Sequence, residues 1–131
     1  MATTTPQRPG LHAHAAAMRL DTSVLVKDLR DLLGAKLVAY VAGVRETRAV
    51  RQWAEGTRRI QDPAVEQRLR LAYQATQIIA ERDDAAVAQA WLQGLNPQLD
   101  DRSPARLLRD GDIDEVGATV LAAARSFAAT G

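Results

Sequence analysis

N-P-Q-L-D-D-R-S-P-A-R-L-L-R-D-G, residues 96–111, is the stretch on which the fold turns, because it marks where one helix must stop and a short one must start. Asn96-Pro97 cannot continue a helix, whereas Ser103-Pro104 suits the beginning of one. Ser103 offers an N-cap oxygen, and Pro104 at the first helical position gives up only an amide that is unpaired there anyway. The pattern predicts an extended entry and then about two turns of helix. Leu107 and Leu108 would form its buried side, and Gly111 stands where a left-handed C-terminal residue is needed.

Upstream, residues 36–56 read K-L-V-A-Y-V-A-G-V-R-E-T-R-A-V-R-Q-W-A-E-G. Two short helices meeting at an angle need a small residue at the crossing, a turn that tolerates positive φ, and apolar anchors on the second helix. Ala39, Gly43, and the set Val44, Val50 and Trp53 meet those needs in turn. With Val50 and Trp53 inward, Thr47, Arg48, Arg51 and Gln52 face outward near the start and middle of the second helix. Arginine can present two donors to guanine, glutamine can pair with adenine, and threonine can take a phosphate or a thymine methyl. Arg45, Arg58 and Arg59 flank them as phosphate contacts, which position rather than specify. Six residues separate Gly43 from Val50, which predicts a turn longer than the commonest helix-turn-helix spacing. The same arginines also suit a solvated helix that binds no DNA.

The remaining chain reads as capped helices. Asp21, Thr22 and Ser23 offer a choice of N-cap for a first helix with Val24, Leu25, Leu29, Leu32 and Leu33 on its apolar face and Lys27, Asp28, Arg30 and Asp31 opposite, ended by Gly34. Asp62-Pro63 opens the longest helix, with a stripe of Val65, Leu69, Ala72, Thr76 and Ile79 widened by Tyr73 and Ala80. Glu66 and Arg70 form an outward i,i+4 pair on it, and Arg68 and Arg70 suit either DNA or solubility. Asp83-Asp84 then breaks and recaps the chain for a helix carrying Val87, Trp91 and Leu92 and closed by Gly94. Trp91 shares a face with Val87 and Ala88, so it belongs to the core. Asp112 and Glu115 form a capping box before a last helix bearing Val116, Val120, Ala124 and Phe127.

Composition bounds the rest. At 131 residues the chain suits one compact unit or two small ones sharing a core. Aromatic residues make up 4%, while alanine, leucine, arginine and valine abound, which favours helices. Cysteine is absent, so disulfides and thiol chemistry are excluded, and charges interrupt every apolar run before it reaches membrane-spanning length. Residues 1–80 carry 12 basic and 7 acidic side chains (net +5), and residues 81–131 carry 5 and 9 (net −4), giving the overall +1. The front half can face phosphate better than the back half. Residues 1–20 hold Pro6, Pro9 and Gly10 and little bulky apolar content, which predicts a flexible tail. His12 and His14 lie there without a third ligand nearby. No phosphate-cradling loop or dinucleotide fingerprint is present, so the chain is not expected to be an enzyme or to carry a cofactor or a metal.

Trp91, Leu92, Asn96, Pro97, Leu99, Ser103, Pro104, Leu107, Leu108, Gly111 and Val116 together resemble the C-terminal module of the Xre/MbcA/ParS antitoxins. Residues 36–56, including the W-x-x-G of Trp53 and Gly56, resemble the Xre-type helix-turn-helix. The resemblance covers roughly residues 22–129. It implies an all-α fold: a flexible N-terminal tail (1–20), an Xre-like helix-turn-helix domain (21–62), a long bridging helix (63–84) and a small helical toxin-binding module (85–131). It further implies a cytoplasmic antitoxin of a type II toxin-antitoxin system, whose partner is a RES-domain, NAD-degrading toxin encoded by the neighbouring gene. In that family the C-terminal end of the antitoxin approaches the toxin's NAD pocket and blocks entry. Carried over, Arg125, Ser126, Phe127, Ala128, Ala129, Thr130 and Gly131 become the inhibitory edge, with Arg106, Arg109 and Asp110 as the adjoining surface. The helix-turn-helix would repress the shared operon by binding operator DNA. Half-sites are normally read in pairs, so a homodimer within a larger toxin-antitoxin complex is expected. Two alternatives stay open. The last helix could instead finish the core of a monomer, with Phe127 on Trp91 and a frayed end, and the chain could be a stand-alone DNA-binding regulator whose C-terminal module serves dimerisation or another partner.

Overall fold

Seven α-helices and a 3₁₀ turn make up the computed structural model, which describes residues 21–130. The helices are α1 (Thr22–Leu33), α2 (Ala35–Ala42), α3 (Thr47–Glu55), α4 (Pro63–Ala80), α5 (Ala85–Gln93), α6 (Pro104–Asp110) and α7 (Ile113–Thr130), with the 3₁₀ turn Pro97–Leu99 between α5 and α6. No strand occurs among the described residues, so the all-α expectation holds. The expected tail, with His12 and His14, and Gly131 lie outside the described residues.

One hydrophobic core draws on all seven helices. In α1, Leu25, Leu29 and Leu33 are buried at fourfold spacing, and Val26 joins them. Val24 does not: its side of the helix faces away, and it is 42% exposed. The centre of the molecule is α4, which packs against α1, α2, α5, α6 and most extensively α7. Its stripe is broader than the sequence suggests, because Gln74, Ala75 and Ile78 are buried along with Leu69, Ala72, Tyr73, Thr76 and Ile79. Thr76 sits fully buried at no polar cost, its hydroxyl donating to the Ala72 carbonyl at 2.7 Å. Burial is the main influence on the Tyr73 phenol and pushes its pKa up; the nearby Asp28 charge acts the same way.

Charged residues of α4 brace its neighbours. Asp62 caps the helix by accepting from the Ala64 amide at 2.9 Å. The Glu66–Arg70 pair, expected to point outward, is partly buried at 3.0 Å and is drawn to α1, since Thr22 donates its hydroxyl to Glu66 at 2.6 Å. That hydrogen bond, followed by the contacts from Arg70, outweighs desolvation and holds the Glu66 carboxyl below its ordinary value of 4.5. Arg68, equally a candidate for solvent or DNA, is half-buried and donates to the Ala42 carbonyl at 3.0 Å, satisfying the end of α2.

The stretch at residues 96–111 starts its short helix as expected: the Ser103 hydroxyl accepts from the Arg106 amide at 3.1 Å, Pro104 follows, and Leu107 and Leu108 are buried. Two details differ. Its entry is a closed loop and not an extended segment, because Asn96 caps the 3₁₀ turn by accepting from the Gln98 amide at 2.9 Å and its own amide donates to Arg102 at 3.2 Å. Asp100 and Asp101 complete that loop at φ 55° and 58°. Gly111 is not left-handed either: its φ is −82°, and a Cβ there would stand 2.5 Å from Val116 and 2.7 Å from the Leu107 carbonyl. Close approach, not backbone handedness, requires the glycine.

Asp112 then accepts from the Asp114 amide at 3.0 Å as α7 begins. α7 lies against α4 through Gly117, Val120, Ala124 and Ala128, and a Cβ on Gly117 would meet Leu71 at 3.0 Å. Among the described residues no helix is long and apolar enough to cross a membrane.

Candidate functional site

α2 and α3 meet as a helix-turn-helix. Gly43, at φ 82°, closes α2 by donating to the carbonyls of Ala39 and Tyr40, and the Val44 amide also returns to Ala39. Gly43, Val44, Arg45 and Glu46 form the turn before α3. Ala49, Val50 and Trp53 go into the core. That leaves Thr47, Arg48 and Arg51 exposed; Gln52 is half-buried, held near Arg58, whose guanidinium donates to it at 3.5 Å.

The candidate DNA-facing residues fall into neighbouring grooves. Arg45, Thr47 and Arg48 line an open groove of about 690 Å³ that also contains Lys36, Tyr40 and Arg109. Arg45 and Arg48 continue into a second groove with Gln52 and Arg58. Arg58 and Arg59 border a third depression beside Trp53 and Glu66, so Arg59 stands apart from the rest. Arg51 occupies the outer face of α3 and lines neither of the first two grooves. Exposed arginines on a short helix, unpaired with core groups, are the chemistry by which phosphates and base edges are contacted.

Three expected partner-facing residues lie on α6 and do not share one environment. Arg106 and Asp110 are open to solvent, with side-chain exposures of 65% and 59%, and approach each other at 3.8 Å. Such a pair adds little stability. Arg109 is 34% exposed and faces the helix-turn-helix: it donates to the Tyr40 carbonyl at 3.0 Å and stacks 4.6 Å above the Tyr40 ring centroid. The Tyr40 contact carried no signal that sequence spacing could expose, because it joins positions 69 residues apart.

At the chain's end, α7 is helical through Thr130 and not frayed, while Val120 is buried and Phe127 packs on Trp91 as the monomer-core alternative expects. Phe127 is half-buried on Trp91, the ring centroids 6.3 Å apart and tilted by 43°. Ala128 is buried, and its carbonyl accepts from Arg82 at 2.8 Å. Ser126 accepts from Gln98 at 3.1 Å. Arg125 is half-buried, while Ala129 and Thr130 are exposed. The last turn is thus clamped by the 3₁₀ turn, by α5 and by the residue pair Arg82–Ala128. Arg82 and Gln98 escaped sequence reasoning because each acts on a carbonyl or hydroxyl far along the chain.

No protein-family model matches this chain. No curated protein matches it either. Among solved structures, it is similar to a chain of the crystal structure of the M. tuberculosis MbcT-MbcA toxin-antitoxin complex, with a TM-score of 0.60 and 26% sequence identity. The likeness covers 79% of this chain and 94% of that one. The helical arrangement and a measurable part of the sequence are therefore held in common with a component of a toxin-antitoxin complex.

Proposed function

We propose that this chain is the antitoxin of a toxin-antitoxin pair, neutralising a NAD-degrading toxin of RES type by placing the end of α7 across the entrance to the toxin's active site. The observation that carries the reading is the likeness to a chain of a toxin-antitoxin complex over 94% of that chain's length. The mechanism is steric. Phe127, Ala129 and Thr130 lie on a helix end already clamped by Arg82 and Gln98, so little ordering entropy is lost when it docks. Arg106 and Asp110 supply an adjoining polar rim on α6. No bond is made or broken by this chain.

The test is co-expression with the neighbouring gene, followed by purification and an NAD-consumption assay. The expected outcome is a stable pair with NAD loss suppressed. Removal of residues 129–131 spares the Arg82 and Gln98 contacts and should weaken inhibition without unfolding the chain. Full silencing of the toxin by that truncated chain would remove α7's end from the mechanism.

The helix-turn-helix is proposed to bind operator DNA as a homodimer and to repress the pair's own operon, with Arg48, Arg51 and Gln52 toward the bases and Arg45, Arg58 and Arg59 toward phosphates. A stand-alone DNA-binding regulator is the second reading. It is favoured by the cationic grooves around Arg45 and Arg48, which need no toxin to explain them. Retained DNA binding, with no complex formed and NAD loss unchanged, would select it.

A further inference from the structure

We propose that Lys36 and Arg109 extend the DNA-facing surface beyond α3 and its flanking arginines, as phosphate contacts contributed by the start of α2 and by the short helix α6, which lies outside the helix-turn-helix. The inference rests on the DNA-binding reading above and adds Lys36, at the start of the first helix of the motif, and Arg109, which lies outside the helix-turn-helix altogether. Its basis is the trough formed by the first two grooves. Lys36 and Arg109 line the first groove, Arg58 the second, and Arg45 and Arg48 both, and Glu46 is the one acidic residue among their linings. Several cations spread over adjoining open grooves suit a phosphodiester backbone better than a single anion.

Arg109 is the decisive residue. The carbonyl and the ring of Tyr40 fix its orientation, at 3.0 Å and 4.6 Å. Using one nitrogen on Tyr40 leaves further donors of the guanidinium available, since arginine has five N–H groups. Its contact with Asp110 is a longer 3.7 Å, and Asp110 does not line the trough. α6 therefore presents two faces: Arg106 and Asp110 to solvent, and Arg109 to the groove shared with Arg45, Thr47 and Arg48. A contact from α6 would let DNA sense the C-terminal part of the chain directly.

The test uses the full chain and a duplex taken from immediately upstream of its own gene, with a scrambled duplex beside it, across a salt series. Lys36→Gln with Arg109→Gln should make the slope of log affinity against log salt shallower by about 2 for each protomer bound, and so by about 4 for a homodimer, because each neutralised phosphate contributes about 0.9. The loss should be equal on both duplexes, as backbone contacts carry no sequence information. Lys36→Arg with Arg109→Lys retains both charges and should retain the slope. A circular-dichroism melt of each variant checks that the helical fold as a whole is retained. If wild type binds and the glutamine variant keeps its slope while Arg45→Gln with Arg48→Gln loses it, this extension is wrong and the DNA reading stands. If the charge-preserving variant falls as far as the glutamine one, Arg109 acts by holding α6 and not by its charge, and the proposal fails. If wild type binds neither duplex in a salt-dependent way, the DNA reading itself fails and takes the extension with it.

Discussion

Helix α3 leaves Thr47, Arg48 and Arg51 in solvent simply because Ala49, Val50 and Trp53, on the same helix, go inward. The end of α7 is positioned differently. Phe127 leans on Trp91, the Ala128 carbonyl is held by Arg82, and Ser126 by Gln98. One surface is organised by helical periodicity within nine residues, the other by contacts that cross the molecule. The difference matters for robustness. Substitutions on α3's outer face should alter binding and spare the fold, whereas the α7 end can be displaced by changes made far from it.

The largest test of this contrast is Leu69→Ala, at the fully buried centre of α4. A truncation there should cost about 2–5 kcal/mol. The two tryptophans allow each region to be followed separately, Trp53 beside the helix-turn-helix and Trp91 under the α7 end. In Trp53→Phe and Trp91→Phe backgrounds, denaturant unfolding should show both reporters shifting together, because α4 packs against α2 of the helix-turn-helix and against α7. Separate midpoints would mean that the two surfaces are less coupled than their shared core implies.

Gly111→Ala should come next, at about 1–3 kcal/mol, since the added carbon has to displace Val116 or the Leu107 carbonyl. Here the contrast should sharpen. Hydrogen exchange in α6 and α7 should quicken while α3 keeps its protection; an equal change in α3 would contradict a local effect.

The smallest expected effect concerns Thr22 and Glu66, which join α1 to α4. Glu66 has a depressed pKa in the folded chain, so the stabilisation it brings is present above its ordinary value of 4.5 and is lost as pH falls through the lower folded value. Thr22→Val, which removes the 2.6 Å hydrogen bond, should therefore lower the urea midpoint near neutral pH, and the gap from wild type should close in acid. A gap that stays constant with pH would mean that the hydroxyl does not act through the carboxylate.

The helices, their capping residues Asp62, Asp84 and Ser103, and the outward set on α3 were legible in the sequence. Each depends on neighbours within a turn or two, and local spacing records such neighbours. The errors share a cause. Helical spacing puts Val24 on the apolar face, Gly111 at a left-handed C-cap and Glu66–Arg70 toward solvent, but Val24 is exposed, and the deciding atoms belong to Val116 and Leu107 for the glycine and to Thr22 for the ion pair.

By itself, then, the order of residues determined an all-helical chain with a helix-turn-helix near its front and a short capped helix before its last one, because capping and periodicity are short-range effects. Only the tertiary structure decided that Arg109 turns to Tyr40 and away from Arg106, and that Arg82 and Gln98 hold the last turn of α7. Those arrangements depend on which backbone carbonyls and rings arrive beside a side chain once the core has closed, and no local pattern encodes that meeting.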